Sequence, residues 1–243
     1  MLWRMPTQIA NLDFENAFPP ANNALTEPNG LLAIGGDLSV ERLISAYRNG
    51  IFPWFSEGDP VLWWSPDPRA VFLLDRLQAP ASLRRFVRRS GWRVTLDTAF
   101  ADVIVACADS PRSGQVGTWI TDQMIAAYIR LHERDVAHSI EVWSGDELVG
   151  GLYGIAMGRA FFGESMFSAR SNGSKMALFT LTAHLRSHGF VLLDSQVPNA
   201  HTTSLGAQSI ARADFLTLLA ALIDDTPEGQ PWQAGPLELS TLS

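Results

Sequence analysis

Two short polar clusters interrupt otherwise apolar stretches of this 243-residue chain. In Phe161-Phe162-Gly163-Glu164-Ser165-Met166-Phe167, one carboxylate stands among aromatics. A carboxylate so placed is either paired or raised in pKa. The second cluster, Asp194-Ser195-Gln196, follows the apolar run Val191-Leu192-Leu193. On an extended segment, residues i and i+2 face the same way, so Asp194 and Gln196 are expected to reach a common point. A buried acid bonded to backbone would explain either cluster alone. Both lie at or near the ends of strands expected to be neighbours, which points to a shared site. Asp194, Glu164 and the Gln196 carbonyl are acceptors. Such a set can hold an ammonium group or take a proton from an attacking amine.

Other chemistries find little support. The chain has no Gly-x-Ser-x-Gly nucleophile elbow and no Walker loop. Its one cysteine, Cys107, excludes an internal disulfide and the multi-cysteine zinc patterns. Cys107 ends an apolar run and reads as a buried, inert thiol. The five histidines lack metal-ligand spacing, so no metal is expected. His184 and His188 are at i and i+4, but near a helix C-terminus, where cations favour the dipole and a surface position is expected. Arg170-Ser171-Asn172-Gly173-Ser174-Lys175 partly matches the pyrophosphate loop of GNAT acetyltransferases, with Lys175 replacing the last small residue. A helix N-terminus there would offer N–H groups to an anion.

The elements that must position these residues follow from periodicity and punctuation. Residues 1–28 read as irregular, and Gly35-Gly36-Asp37 as a turn. Ser39 can cap a helix that Gly50 ends. Residues 50–69 then set Phe52, Trp54, Phe55, Trp63 and Trp64 among Pro53, Pro60, Pro66 and Pro68. The prolines forbid a continuous helix and break a central strand. Such a rigid, irregular segment either grips a planar or bulky apolar ligand or tucks its tryptophans under the core. Residues 70–74 read as a strand. Residues 80–89 form an amphipathic helix with Arg84, Arg85, Arg88 and Arg89 on its wet face and no acid within it. That face is either a phosphate-backbone contact or ordinary solvated surface.

Beyond it come a strand at 92–96 and helices from Thr98 and from a Thr121 cap. A hairpin crosses Ser144-Gly145-Asp146, and a strand covers 160–168. A helix over 174–188 leads to a strand at 190–194. Strand–helix–strand implies a parallel pair, with a ligand crevice beyond the strand ends. A helix over 212–223 and a polar tail rich in Pro and Gly end the chain. The expected fold class is α+β or α/β, divided near residue 65 into an aromatic-rich N-terminal domain, 1–65, and an α/β layer domain, 66–243. The net charge of −7 gives no global cationic field, so a polyanion must meet a local patch. No segment approaches the roughly 18 apolar residues of a membrane span. A soluble cytoplasmic protein with no membrane partner is expected.

Seven blocks occur in one order. They are residues 29–39, Gly50-Ile51-Phe52-Pro53-Trp54-Phe55, residues 62–69, Thr118-Trp119-Ile120-Thr121, residues 137–143, Gly163-Glu164-Ser165-Met166-Phe167 and Asp194-Ser195-Gln196. Together they closely resemble the bacterial leucyl/phenylalanyl-tRNA–protein transferases over roughly residues 20–220. The resemblance implies a small N-terminal domain packed on a GNAT-like acyltransferase domain with a mixed sheet. It implies transfer of Leu or Phe from aminoacyl-tRNA to a protein whose N-terminus is Arg or Lys, creating a degradation signal. Asp194, Gln196 and Glu164 match the family's catalytic positions, and Trp54 and Trp119 match aromatics at the aminoacyl-adenosine site. Phe161, Met166, Leu178, Leu181 and Leu193 match the apolar side-chain pocket. Ser195 stands where the family often has Cys and is expected to point away; Leu181 stands where an aromatic can occur. Because the tRNA ester is already activated, no cofactor, metal or ATP is required. Two other functions remain open: an acyl-CoA-dependent N-acyltransferase, and a non-catalytic binder of basic N-terminal residues.

Overall fold

A computed structural model describes residues 9–13, 17–110 and 119–239 and contains two sheets. Thr118 and the first eight residues lie outside the described residues. The smaller sheet comprises β1 (Ala10–Asn11), β2 (Leu31–Ile34), β3 (Phe52–Pro53) and β4 (Leu62–Trp64), in the order β1-β2-β4-β3. Between β2 and β3 lies α1 (Val40–Arg48), where the Ser39 side chain accepts from the Arg42 amide as its spacing predicts. Residues 1–28 are not wholly irregular, because β1 pairs in parallel with β2. The aromatic segment also carries strands despite its prolines. Pro53 sits on the edge strand, where a missing N–H is tolerated, and central β4 has no proline. Trp63 is fully buried and its Nε1 donates to the Gly35 carbonyl at 2.9 Å. Phe52 and Phe55 are buried too, whereas Trp54 is 37% exposed. Three of the segment's five large aromatics are therefore core.

The larger sheet starts with β5 (Arg69–Leu73), followed by α2 (Ala81–Ser90), β6 (Arg93–Leu96), α3 (Phe100–Asp109) and α4 (Asp122–His132). Then come β7 (Ala137–Ser144), β8 (Glu147–Met157), β9 (Ala160–Ser168), α5 (Gly173–Ser187) and β10 (Leu192–Asp194). The chain ends with α6 (Ala200–Ser204), β11 (Gln208–Ile210), α7 (Arg212–Leu222) and β12 (Gly235–Leu237). The eight strands are ordered β11-β5-β10-β9-β8-β7-β6-β12. Strands β6 to β9 form an antiparallel run, and α5 crosses over to make β10 parallel to β9. The fold is a mixed α+β arrangement with mixed sheets.

Alternation along β8 divides the core in two. Tyr153 and Ile155 join the apolar cluster of α1, α3, α4 and α7. Leu152 joins the cluster of α2 and α5 on the other face. The start of α5 lies hard against β8: a Cβ on Gly150 would come 2.4 Å from the Gly173 Cα, so only glycine fits there. Among the described residues, no helix is long and apolar enough to cross a membrane.

The tail differs from its sequence expectation. β12 pairs antiparallel with β6, and the Trp232 ring stacks 3.8 Å from the His138 ring. The His184 Nε2 donates to the Pro231 carbonyl at 2.7 Å. His184 and His188, expected on the surface, are instead half-buried, with His184 bonded to the tail; burial lowers the His184 pKa. Trp232 also packs near Phe161 and Phe190. Trp232→Ala is expected to cost about 2 kcal/mol of stability in urea denaturation, less than a fully buried tryptophan would. An unchanged midpoint would mean that the tail adds nothing to the fold.

Candidate active site

Asp194 ends β10 and is fully buried. Its two oxygens take a bidentate fork from Arg69 on β5, at 2.8 Å from Nε and 2.7 Å from Nη2. The remaining guanidinium nitrogen, Nη1, donates to the Gly50 carbonyl at 3.0 Å. The Phe52 and Phe215 rings lie against the same guanidinium, 5.0 and 4.4 Å from its carbon. A buried charge is tolerated when it is paired and hydrogen-bonded, and here each guanidinium nitrogen has a partner.

The expectation that Asp194 and Gln196 point alike from an extended segment is corrected. The strand stops at Asp194, and Gln196 has a left-handed backbone with φ of 57°. That conformation is uncommon for a residue other than glycine or asparagine, and here it is held from several sides. The Gln196 amide donates to Asp194 Oδ1 at 3.0 Å, and its carbonyl accepts from the Ala70 amide at 3.0 Å. Asp194 therefore holds Arg69, while the Gln196 side chain goes to a different partner, its Nε2 reaching Glu164 Oε1 at 3.3 Å.

Glu164 owes its placement to a β-bulge. Along the β8–β9 pair, Tyr153 faces Ser165 and Gly154 faces Gly163, so Glu164 is the extra residue on β9. A bulge re-aims a side chain out of the ladder. Glu164 Oε2 accepts from the Tyr128 hydroxyl at 2.9 Å, and Tyr128 in turn is bonded to the Tyr47 hydroxyl. Burial pushes the Glu164 pKa up to about 7. The Tyr47 and Tyr128 hydrogen bonds oppose that rise, the Asp194 charge adds to it, and the Arg69 charge opposes it. Burial, and then the Glu164 charge, hold both tyrosines well above the usual phenol range, so they stay protonated donors. Of the two sequence alternatives, the raised pKa is the one seen: among the described residues Glu164 forms no ion pair, and its hydrogen bonds come from neutral side chains.

Two cavities of about 190 Å³ each meet here. Their common wall is Glu164, Ser195, Gln196 and Asn199. Met166, Leu178, Leu181 and Leu193 line the first cavity, with Phe72 and Tyr153. Trp54 and Trp119 line the second, with Phe52 and Pro53. Phe161 lines neither cavity; it is fully buried in the same apolar cluster as Leu178, Leu181 and Leu193, and sits opposite Leu193 across the β9–β10 pair. Asp194 lines neither cavity either. Ser195 lines both cavities, while its Oγ donates to the Ala70 carbonyl at 3.3 Å. Sequence reasoning missed Asn199 and His201. Asn199 caps α6 by accepting from the Thr202 amide at 2.8 Å, and an Asn shortly before a Thr-Thr pair was a readable cap.

Three further expectations find their places. Arg84, Arg85, Arg88 and Arg89 are exposed on α2, and none forms an ion pair among the described residues. The loop before α5 is occupied by the protein itself. The Ala169 and Arg170 amides donate to the Val149 carbonyl, Gly173 to the Arg170 carbonyl and Ser174 to Ser168 Oγ. Those amides are not left for a pyrophosphate. Away from the cavities, the fold brings Asp97, His132 and His138 together, with candidate ligand atoms within 4.8 Å of one another. There His138 Nδ1 lies 2.7 Å from Asp97 Oδ2, and His132 Nδ1 lies 2.8 Å from the Ala137 carbonyl, a set of direct internal hydrogen bonds.

The chain matches the family model described as leucyl/phenylalanyl-tRNA protein transferase over residues 71–220, and the model of that family's N-terminal domain over residues 36–67. A leucyl/phenylalanyl-tRNA–protein transferase of Xanthomonas euvesicatoria pv. vesicatoria is 54% identical, covering 96% of this chain and 92% of its own. One from Xanthomonas axonopodis pv. citri is 61% identical over 82% of this chain and 80% of its own. One from Shewanella baltica is 54% identical over 91% and 93%. With the likeness running through both the small sheet and the sheet that holds Glu164 and Asp194, the chain belongs to the leucyl/phenylalanyl-tRNA–protein transferase family of enzymes.

Proposed function

We propose that this transferase moves Leu or Phe from aminoacyl-tRNA to the N-terminal Arg or Lys of acceptor proteins. The strongest support is the meeting of an apolar cavity and an aromatic one at the Glu164–Gln196 wall. The first suits the Leu or Phe side chain, against Met166, Leu178, Leu181 and Leu193. The second suits the terminal adenosine, against Trp54 and Trp119. The ester carbonyl then lies between them, beside Gln196 and Glu164. The four arginines of α2 suit the tRNA backbone.

The chemistry needs one proton acceptor. The acceptor's α-amine has a pKa near 7.7–8.0, so its neutral form is accessible at physiological pH. Its nitrogen attacks the ester carbonyl, and the amide forms as the bond to the ribose oxygen breaks. Glu164, pushed up to about 7, is matched to take the amine's proton and return it to the departing ribose oxygen. Because the Gln196 Nε2 is turned to Glu164, its carbonyl oxygen is the atom that can hold the amine. Asp194, forked by Arg69, orients Gln196 through its backbone.

The same reading extends to the rest of the chain. Residues 1–65 act as a small N-terminal domain and 66–243 as a GNAT-like domain; the β9–α5–β10 crossover supports the latter. The enzyme works in the cytoplasm, and its product marks the acceptor for degradation. An acyl-CoA donor loses support because the loop before α5 spends its amides internally. A non-catalytic binder is set aside by membership of an enzyme family.

Radiolabelled Phe-tRNA mixed with Arg-, Lys- and Ala-initiated peptides tests the substrates. Label is expected in the Arg and Lys peptides and little in the Ala peptide; equal labelling of all three would defeat the acceptor assignment. Replacing Arg84, Arg85, Arg88 and Arg89 with Ala should raise KM for aminoacyl-tRNA. It should also flatten the slope of log affinity against log salt, by roughly 0.7–0.9 for each phosphate no longer neutralised. An unchanged slope would make this face ordinary solvated surface.

A further inference from the structure

Behind Glu164 the core contains a hydrogen-bonded chain that the proposed transfer does not itself use. Tyr47 comes from α1 and Tyr128 from α4; both are fully buried. As a carboxylate, Glu164 can only accept, so the Tyr128 proton points to Oε2. Tyr128 has thereby spent its proton, so Tyr47 donates to the Tyr128 oxygen. Tyr47 also acts on Glu164 directly, so both phenols support the same carboxylate. Tyr47 packs against Phe162 at 5.3 Å between ring centres, and Tyr128 packs edge-on to Tyr153 at 5.6 Å. No solvent reaches either hydroxyl, so the chain is no exit for a proton. A proton taken by Glu164 must leave on the cavity side.

We infer that Tyr128, backed by Tyr47, is a positioning residue for the transfer, its hydroxyl fixing Oε2 of Glu164 and leaving Oε1 to Gln196 and the reacting amine. This rests on the reading of Glu164 as proton acceptor. The groups around that carboxyl are Tyr47 from α1, Tyr128 from α4, Tyr153 beside Tyr128 on β8, Arg69 from β5, and Asp194 and Gln196 at the end of β10. Of these, the tyrosine pair, Arg69 and the Gln196 amide favour the ionised form, while Asp194 and burial oppose it. Arg69 is already committed to Asp194. The tyrosine pair is therefore the direct counterweight to burial. Its effect is to keep Glu164 ionised near neutral pH despite an interior position. A purely structural pair of tyrosines would have no such effect.

The test is the pH profile of kcat/KM for an Arg-initiated peptide, with wild type, Tyr128→Phe, Tyr47→Phe and Glu164→Gln. The acceptor amine titrates identically in every case and cancels in the comparison. Loss of one charged hydrogen bond should move the acid limb of Tyr128→Phe upward by about one pH unit. That is about a tenfold loss at pH 6, recovered by about pH 9, with KM for aminoacyl-tRNA unchanged. Tyr47→Phe should shift the limb in the same direction by a comparable amount, because both phenols oppose the effect of burial on Glu164. If Tyr128→Phe does not fold, Tyr47→Phe and the double Tyr47→Phe/Tyr128→Phe variant, which leaves no orphaned hydroxyl, carry the test. A uniform loss at every pH with an unmoved limb would overturn the inference. An inactive Glu164→Gln beside an unmoved Tyr128→Phe limb overturns the inference alone. A Glu164→Gln variant as active as wild type overturns the proton-acceptor reading and the inference with it.

Discussion

Arg69 ties together parts of the chain that are distant in sequence. From β5 it forks Asp194 at the end of β10, bonds the Gly50 carbonyl after α1, and lies between Phe52 and Phe215. Burying two charges costs several kcal/mol each before pairing, and only a bidentate geometry with the remaining donor satisfied offsets that. The site depends on this pair being complete. Asp194 accepts three hydrogen bonds, two from the guanidinium and one from the Gln196 amide. Gln196 can keep its left-handed backbone because Asp194 and Ala70 grip it. The Gln196 side chain is then delivered to Glu164.

Two neighbouring carboxylates thus have different environments. Asp194 has a cation in direct contact and no cavity. Glu164 has phenolic donors, a cavity and, among the described residues, no cation in direct contact. Environments of this contrast are how one site assigns different roles to two like groups. The β-bulge is what makes the contrast spatially possible. A regular β9 would place residue 164 in the ladder; the extra residue turns it to the wall shared by both cavities. Because β10 stops at Asp194 while β9 continues to Ser168, the parallel pair opens there.

Much of this arrangement was legible in the sequence. The α1 and α4 caps, the α2 amphipathicity, the β7–β8 hairpin and the β9–α5–β10 crossover follow from side-chain period and turn residues. Glu164 and Gln196 stood out because polar residues interrupt apolar strands. The failures are local and physical. Nothing in Asp194-Ser195-Gln196 announces a left-handed residue, since Gln has no special preference for one. The pairing of Arg69 with Asp194 was invisible because that bond spans 125 positions in sequence. Tyr47 lies on the buried face of α1, where an inward aromatic is ordinary, and its hydroxyl partner lies on another helix. Trp232 sits in a tail of low periodicity, so its docking on His138 left no pattern.

The central claim is that Glu164, not Asp194, is the carboxyl group that exchanges a proton during transfer. Carbon-13 NMR of enzyme labelled at the glutamate carboxyls, with Glu164→Gln used to assign the resonance, reads that group directly. The Glu164 signal is expected to titrate at about 7. A midpoint near 4.3, the value of an ordinary glutamate, would contradict the claim.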